Sequence, residues 1–155
     1  MKTEYIVIGI LLTVVIIFST MAKPIKKALS RGYRNNNPGN IRLSNEKWQG
    51  EVKSDDKAFK KFQSMEYGYR AIFVLLRSYI SKGYDTPEKI INRYAPPVEN
   101  ATHSYLATVV RMTGFAPNQK LYFSDKLIPF VEAISYVENG IKANPVEVSK
   151  GFSLV

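Results

Sequence analysis

The longest apolar stretch of the 155-residue chain lies at its beginning, where residues 5–22 carry no charge and consist mainly of Ile, Val, Leu and Phe. An α-helix of that length would extend about 27 Å, which is close to the thickness of a bilayer core. The pattern predicts a transmembrane anchor over residues 1–22 and a basic juxtamembrane linker over residues 23–31. A cleaved signal peptide is the alternative, because small residues precede the lysines that begin at Lys23.

Beyond the linker, the pattern of apolar positions changes twice. Residues 47–53 and 58–63 predict two short strands around a polar turn. Apolar residues then recur at helical spacing. With Pro, Gly and Asn as end signals, the spacing predicts four helices, at about residues 64–82, 86–95, 102–113 and 124–138. The prediction is a mostly α (α+β) globular domain over residues 32–140 with one small β-hairpin. Residues 141–155 show no periodicity and are predicted to form a C-terminal tail, either loose or packed on a partner.

Composition narrows the chemistry that the chain can perform. It has no cysteine, which excludes disulfides, thiolate nucleophiles and thiolate metal sites, and His103 is its single histidine. Zinc hydrolysis needs three or four ligands, and a serine-histidine arrangement would have to use His103 without any supporting motif. We therefore expect no metal and no cofactor. Glycosidic bond cleavage is the reaction class that runs on carboxylates alone.

The net charge of +9 makes an acidic partner plausible. Anionic cell wall, lipid headgroups and nucleic acid all satisfy that condition, and charge alone does not choose among them. The positive-inside rule would leave the lysines after the anchor on the cytoplasmic side, or inside an enveloped particle. That orientation conflicts with direct access to a cell wall, so the membrane orientation stays open.

Residues 34–42 read Arg-Asn-Asn-Asn-Pro-Gly-Asn-Ile-Arg and are typical of a tight turn. Pro38 presets φ, and Gly39 is expected to take a positive φ. The turn gathers amide and guanidinium groups, which suit a ligand rich in hydroxyl and amide groups, such as an amino sugar. A rigid surface turn without a ligand is the alternative.

Four separated blocks of sequence resemble a family of phage and prophage virion proteins, some of which are cell-wall hydrolases. In chain order they cover residues 31–42, 48–50, 62–71 and 94–100, the last together with Tyr105. The turn before a hairpin is more distantly similar to bacterial glucosaminidases and lysozyme-like lytic transglycosylases. The resemblance implies a lysozyme-like fold that cleaves the β-1,4 bond of peptidoglycan. Together with the predicted anchor, it implies a single-pass protein of a phage virion membrane or a bacterial inner membrane.

The catalytic acid does not lie where lysozyme-like enzymes place it, on a helix before the asparagine-rich turn, because residues 23–34 contain no acid. The candidates are therefore Glu51, Glu66 and Glu99. The indole of Trp48 could exclude water from Glu51 and favour its protonated form, as a general acid requires. The dipole at a helix start would favour ionised Glu66, which suits a base or a cation stabiliser. Glu99 could reach a cleft between helices, and helix capping is the alternative for both Glu66 and Glu99.

The candidate substrate-binding residues come from the same blocks. Asn37, Asn40 and Arg42 are expected to orient N-acetyl groups and lactyl or phosphate charges. Trp48 and Tyr94 are expected to stack on sugar faces, with core packing as their alternative.

The expected function is a membrane-anchored, phage-type peptidoglycan glycosidase, either a lytic transglycosylase or a lysozyme. Its partners would be peptidoglycan strands, a lipid bilayer through residues 5–22, and capsid or other virion proteins. Whether the reaction is hydrolytic or forms an anhydro sugar stays open. The alternative is a non-enzymatic virion membrane protein that binds wall glycan or links membrane to capsid. A third, weaker alternative is a basic membrane-tethered module that holds nucleic acid.

Overall fold

The computed structural model describes residues 30–96 and 101–155. The predicted anchor over residues 1–22, the linker up to residue 29 and the candidate acid Glu99 lie outside these residues. Within the described ranges, no helix combines the length and the apolar character that crossing a membrane requires.

The described part of the chain is mostly helical. Its helices are α1 (Arg31–Arg34), α2 (Met65–Ser81), α3 (Pro87–Tyr94), α4 (Ala101–Thr113), α5 (Ile128–Asn139) and α6 (Pro145–Ser153), with a 3-10 turn at Asp125–Leu127 leading into α5. Strands β1 (Glu51–Val52) and β2 (Lys61–Phe62) form an antiparallel pair in which Glu51 lies opposite Phe62. The prediction of a mostly helical fold with one small hairpin is confirmed, and the lysozyme-like assignment stays a prediction.

The local end signals explain why α3 to α5 lie where the pattern places them. Thr86 caps α3 by accepting a hydrogen bond from the backbone N–H of Lys89, and Pro87 occupies the first turn. Gly114 follows α4 with φ +73°, and Gly140 caps α5 with φ +68°. Both angles fall in the left-handed region that glycine adopts without strain.

The main core forms around α2, whose inward face is fully buried. Tyr69, Ile72, Phe73 and Leu76 have no more than trace exposure to solvent. The other helices close around this face with apolar side chains from α3, α4, α5 and α6: Ile90, Ile91, Val109, Phe130, Val131, Ile134 and Val148. Burial of these side chains supplies the main favourable free energy of folding for the helices.

Of the two alternatives predicted for residues 141–155, the loose tail is wrong, because these residues contain helix α6. Asn144 caps α6 by accepting a hydrogen bond from the backbone N–H of Val146, 3.0 Å away, and Pro145 begins the helix. Gly151 packs so closely on α2 that a Cβ atom there would collide with Tyr69 and with the backbone of Glu66. The cap signal and the buried Val148 were present in the sequence, but nine residues are too few for a periodicity to stand out.

Candidate functional site

The turn at residues 35–42 presses against the helices, and this explains its conformation. Asn36 and Asn40 take the left-handed conformation, with φ of +49° and +47°, whereas Gly39 does not, which corrects the expectation for Gly39. Asparagine tolerates this region better than other residues that carry a side chain. Gly39 is needed because a Cβ atom would collide with the hydroxyl of Tyr94 and with Ile72. That hydroxyl donates a hydrogen bond to the carbonyl of Gly39.

Asn37 holds the turn together from the inside. Its side chain is fully buried. Its Nδ2 donates to the carbonyls of Ile41 and Lys60, each 2.9 Å away, and its Oδ1 accepts from the N–H of Ile41 at 2.9 Å. The structure therefore corrects the ligand-binding assignment of Asn37, because a buried amide with these partners cannot reach a ligand.

The carboxylate of Glu51 likewise bonds with other residues of the fold. The amine of Lys60 is fully buried and lies 3.1 Å from the Glu51 carboxylate, while Glu51 Oε2 also accepts a hydrogen bond from the N–H of Trp48 at 3.0 Å. Lys60 Nζ donates as well to the carbonyls of Ser44 and Glu46, at 3.2 and 2.8 Å. Protonation of this carboxylate would leave the buried ammonium group of Lys60 without a counter-charge, which is energetically costly. The structure therefore gives Glu51 a structural role and not that of a general acid.

A cleft of about 660 Å³ lies beside this turn. Four of the predicted binding residues, namely Asn40, Arg42, Trp48 and Tyr94, line it together, whereas Asn37, Glu51 and Glu66 do not. Its other lining residues are Gly39, Ile41, Ser44, Glu46, Phe59, Leu75, Tyr79, Ala95, Pro96 and Glu138. Aromatic and aliphatic walls with a few polar groups are the usual composition of a small-molecule site.

Glu138, in the last turn of α5, is the acid that the structure places in the cleft. Its Oε2 accepts a hydrogen bond from Asn40 Nδ2 at 2.9 Å, and its Oε1 accepts one from the Tyr105 hydroxyl at 3.1 Å. Burial raises the pKa of Glu138, and the two donors and the charge of Arg42 oppose that shift without cancelling it. A larger fraction of this carboxyl is therefore protonated near neutral pH than for a solvated glutamate.

Sequence reasoning missed Glu138, although one signal was available. An acidic residue in the last turn of a helix opposes the helix dipole, so such a position is unfavourable unless something else requires the acid there. Asn139 and Asn40 supply amide donors around the same helix end. Asn139 Nδ2 donates to the carbonyl of Pro38 at 2.7 Å, and Asn40 Nδ2 also lies 3.3 Å from the carbonyl of Glu138.

The remaining acids have other roles. Glu66 lies at the start of α2, where a hydrogen bond with the side chain of Ser64 is the main cause that lowers its pKa. The ionised form of Glu66 is therefore favoured, as expected for an acid at the start of a helix. Glu66 does not line the cleft. Glu46 lines the cleft at its exposed rim.

Two polar atoms of cleft residues have no hydrogen-bond partner within the described ranges. These are Oδ1 of Asn40 and Nε1 of Trp48, both shielded from solvent. A buried polar atom without a partner is costly and uncommon, and functional sites are one of the places where such atoms occur. The fold therefore leaves one acceptor of Asn40 and one donor of Trp48 without a hydrogen-bond partner among the described residues.

No protein-family model matches the chain. Protein P5 of Pseudoalteromonas phage PM2 is 41% identical to it over 132 residues, a match that covers 79% of this chain and 80% of that protein.

Proposed function

Because the chain belongs to the family of protein P5 of Pseudoalteromonas phage PM2, we propose that it is a phage protein that cleaves the β-1,4 glycan bond of peptidoglycan. Glu138 acts as the general acid in this proposal. The observation that carries it is the partly buried carboxyl of Glu138, which lines a cleft beside Asn40 and has a raised pKa. A general acid works best when its pKa lies near the working pH.

The reaction begins with transfer of the carboxyl proton of Glu138 to the glycosidic oxygen. The bond between C1 and that oxygen breaks, its electron pair stays on the oxygen, and the leaving sugar departs as an alcohol. Positive charge is left on C1 and the ring oxygen of the other sugar. A water molecule or a hydroxyl of that sugar then adds to C1, and the Glu138 carboxylate accepts the proton that is released. Addition of water gives a hydrolysed product, and addition of the sugar hydroxyl gives an anhydro product.

The hydrogen bonds to Glu138 hold its carboxyl for this transfer. Tyr105 and Asn40 each donate to a different carboxyl oxygen, so the group has a defined orientation before a substrate arrives. Preorganisation of this kind lowers the reorganisation that the transition state requires. Trp48 offers apolar ring surface for a sugar face, and Tyr94 adds its ring, because its hydroxyl is already bonded to Gly39.

The proposal extends to the setting of the reaction. A lysozyme-like fold, an anchor through residues 5–22 and a place in a phage virion membrane or a bacterial inner membrane are all part of it. The supporting observations are the apolar run in the sequence and the phage origin of the relative. Peptidoglycan strands are the proposed substrate.

Clearing of a suspension of purified peptidoglycan by the full-length chain tests the proposal. We expect Glu138→Gln to lower the clearing rate by about a hundredfold or more, which is the size of a general-acid contribution. The activity of the wild type should also fall as the pH rises through the raised pKa of Glu138, because the protonated form is lost. Glu132→Gln is the matched control, since it removes a carboxylate from the same helix but not from the cleft.

Three further variants, Glu51→Gln, Glu66→Gln and Glu99→Gln, run beside these two. If Glu138→Gln clears peptidoglycan as fast as the wild type, the assignment of Glu138 is refuted, and a loss confined to Glu99→Gln would move the acid to that residue. If the wild type binds peptidoglycan but clears none, the chain is a non-enzymatic glycan-binding virion protein.

A further inference from the structure

The acidic side chains of the hairpin are each paired with a cation. Arg31 binds Asp56 through two hydrogen bonds of 2.6 Å, Lys61 Nζ lies 2.9 Å from Asp55, and the remaining carboxylate, that of Glu51, compensates the buried Lys60. Every carboxylate of strands β1 and β2 and of the turn that connects them therefore already has a cation as its partner. Any additional positive charge near this hairpin is therefore uncompensated by it.

Arg42 is such a charge, and it lies in the cleft. Its side chain is exposed and its guanidinium carbon lies 5.4 Å from the centre of the Phe59 ring. Arg31 lies over the same ring at 4.5 Å, but Asp56 neutralises it. Among the residues that the structure describes, Arg42 makes no ion pair. Contact with an aromatic ring restrains the guanidinium plane without satisfying its N–H donors.

The other ionisable lining residues set where an anion could bind. Glu138 and Glu46 also line the cleft. Glu138 must be protonated to act, so it carries no charge when a substrate is bound productively. Glu46 is exposed at the rim, where water screens its charge. Arg42 is close enough to Glu138 to act on it electrostatically, so the uncompensated cation lies near the reacting bond.

We propose that Arg42 selects glycans that carry an oxyanion next to the sugar bound at Glu138. The inference deepens the proposed function by naming the substrate class: an acidic, N-acetylated glycan in preference to a neutral chitin-type one. Guanidinium groups bind carboxylate or phosphate through two parallel hydrogen bonds, and this geometry gives selectivity as well as affinity. A lactyl or peptide carboxylate and a wall-polymer phosphate share this chemistry.

Equilibrium binding of short glycans to the full-length Glu138→Gln chain, which does not turn them over, tests the inference. The probes are a neutral chitin oligomer, a peptidoglycan strand of the same length with lactyl carboxylates, and a wall phosphate polymer as competitor. We expect about tenfold tighter binding of the carboxylate strand than of the chitin oligomer, as one charge-assisted bidentate contact provides. Arg42→Gln should remove this preference by weakening binding of the carboxylate strand about tenfold more than binding of the chitin oligomer, and Arg42→Lys should keep part of the preference.

Arg111→Gln is the charge-matched control, because it removes an exposed arginine from α4, which contributes no lining residue to the cleft. The inference is overturned if Arg42→Gln weakens both oligomers equally, if Arg111→Gln removes the preference as well, or if no anionic probe binds better than chitin. Binding of the phosphate polymer alone supports the inference and assigns the anion to phosphate. Failure of the proposed function is distinguishable, because it appears as absence of clearing by the wild type, which is measured separately from these binding ratios.

Discussion

The two sides of the cleft are built by different kinds of interaction. The hairpin region, residues 35–63, has strands of two residues each and a small apolar cluster in which Ile41 and Phe62 pack with Ala71 of α2. Its shape depends on buried polar side chains, chiefly Asn37 and Lys60. The helical body, residues 65–96 and 101–155, is instead held by a continuous apolar core around α2.

This difference determines how each side of the cleft is kept rigid. Strands of two residues form few backbone hydrogen bonds, so the hairpin region gains its rigidity from side-chain donors and acceptors with strict geometry. The helical body supplies Glu138 from the end of a helix that buries Phe130, Val131 and Ile134 in the core. We therefore expect the helical body to be sensitive to lost volume and the hairpin region to be sensitive to lost partners or charges.

The largest expected effect is on the helical body. Phe73→Ala removes a fully buried ring that packs edge-on against Phe152 at a centroid distance of 5.2 Å. We expect it to lower the free energy of unfolding by about 4 kcal/mol, measured by urea denaturation. Tyr122→Ala, at a side chain that is 70% exposed, is the control and should change it by less than about 0.5 kcal/mol. A loss below about 1 kcal/mol for Phe73→Ala would contradict the packing argument.

The next effect is on the hairpin region. Lys60→Met leaves the carboxylate of Glu51 shielded and without its cation, so we expect a loss of about 3 kcal/mol in the free energy of unfolding. Lys61→Met breaks an exposed pair with Asp55 and should cost less than about 1 kcal/mol. Adding Glu51→Leu to Lys60→Met should recover part of the loss, because the unpaired charge is removed. Equal losses for Lys60→Met and Lys61→Met would show that burial of the amine is not what matters.

The smallest effect concerns the boundary between the two regions, at Glu138. Burial raises the pKa of Glu138, so the folded chain holds a proton there that the unfolded chain releases at lower pH. The contribution of this proton to stability is full below the ordinary carboxyl pKa of about 4.3 and is lost as the pH rises through the raised value. Glu138→Gln lacks this dependence.

We therefore expect the melting temperature of Glu138→Gln to rise relative to that of the wild type as the pH increases across that window. Thermal unfolding monitored by circular dichroism measures this difference. Glu132→Gln is again the control and should track the wild type. A constant difference at all pH values would mean that the effect arises from packing and not from ionisation.

Comparison of predicted and observed residues shows which features depend on local rules. The positions of α2 to α5 and of the hairpin follow from caps, glycines and apolar spacing, because each signal acts within about one turn of its element. Four of the five predicted binding residues meet in one cleft for a related reason. Three of them, Asn40, Arg42 and Trp48, are close in sequence, and the turn chemistry orients them together.

Whether a polar side chain faces a ligand or the interior depends on residues that are distant in sequence. Asn37 and Asn40 belong to the same turn, yet Asn37 is buried against Lys60, whereas Asn40 reaches Glu138 across 98 positions. Glu51 becomes structural only because Lys60 is folded beneath it. The sequence by itself determined the helical architecture, the hairpin and the chemistry of the turn, since these depend on neighbours along the chain. Only the tertiary structure decided which carboxyl loses water in the cleft, because desolvation depends on what packs around a group in space.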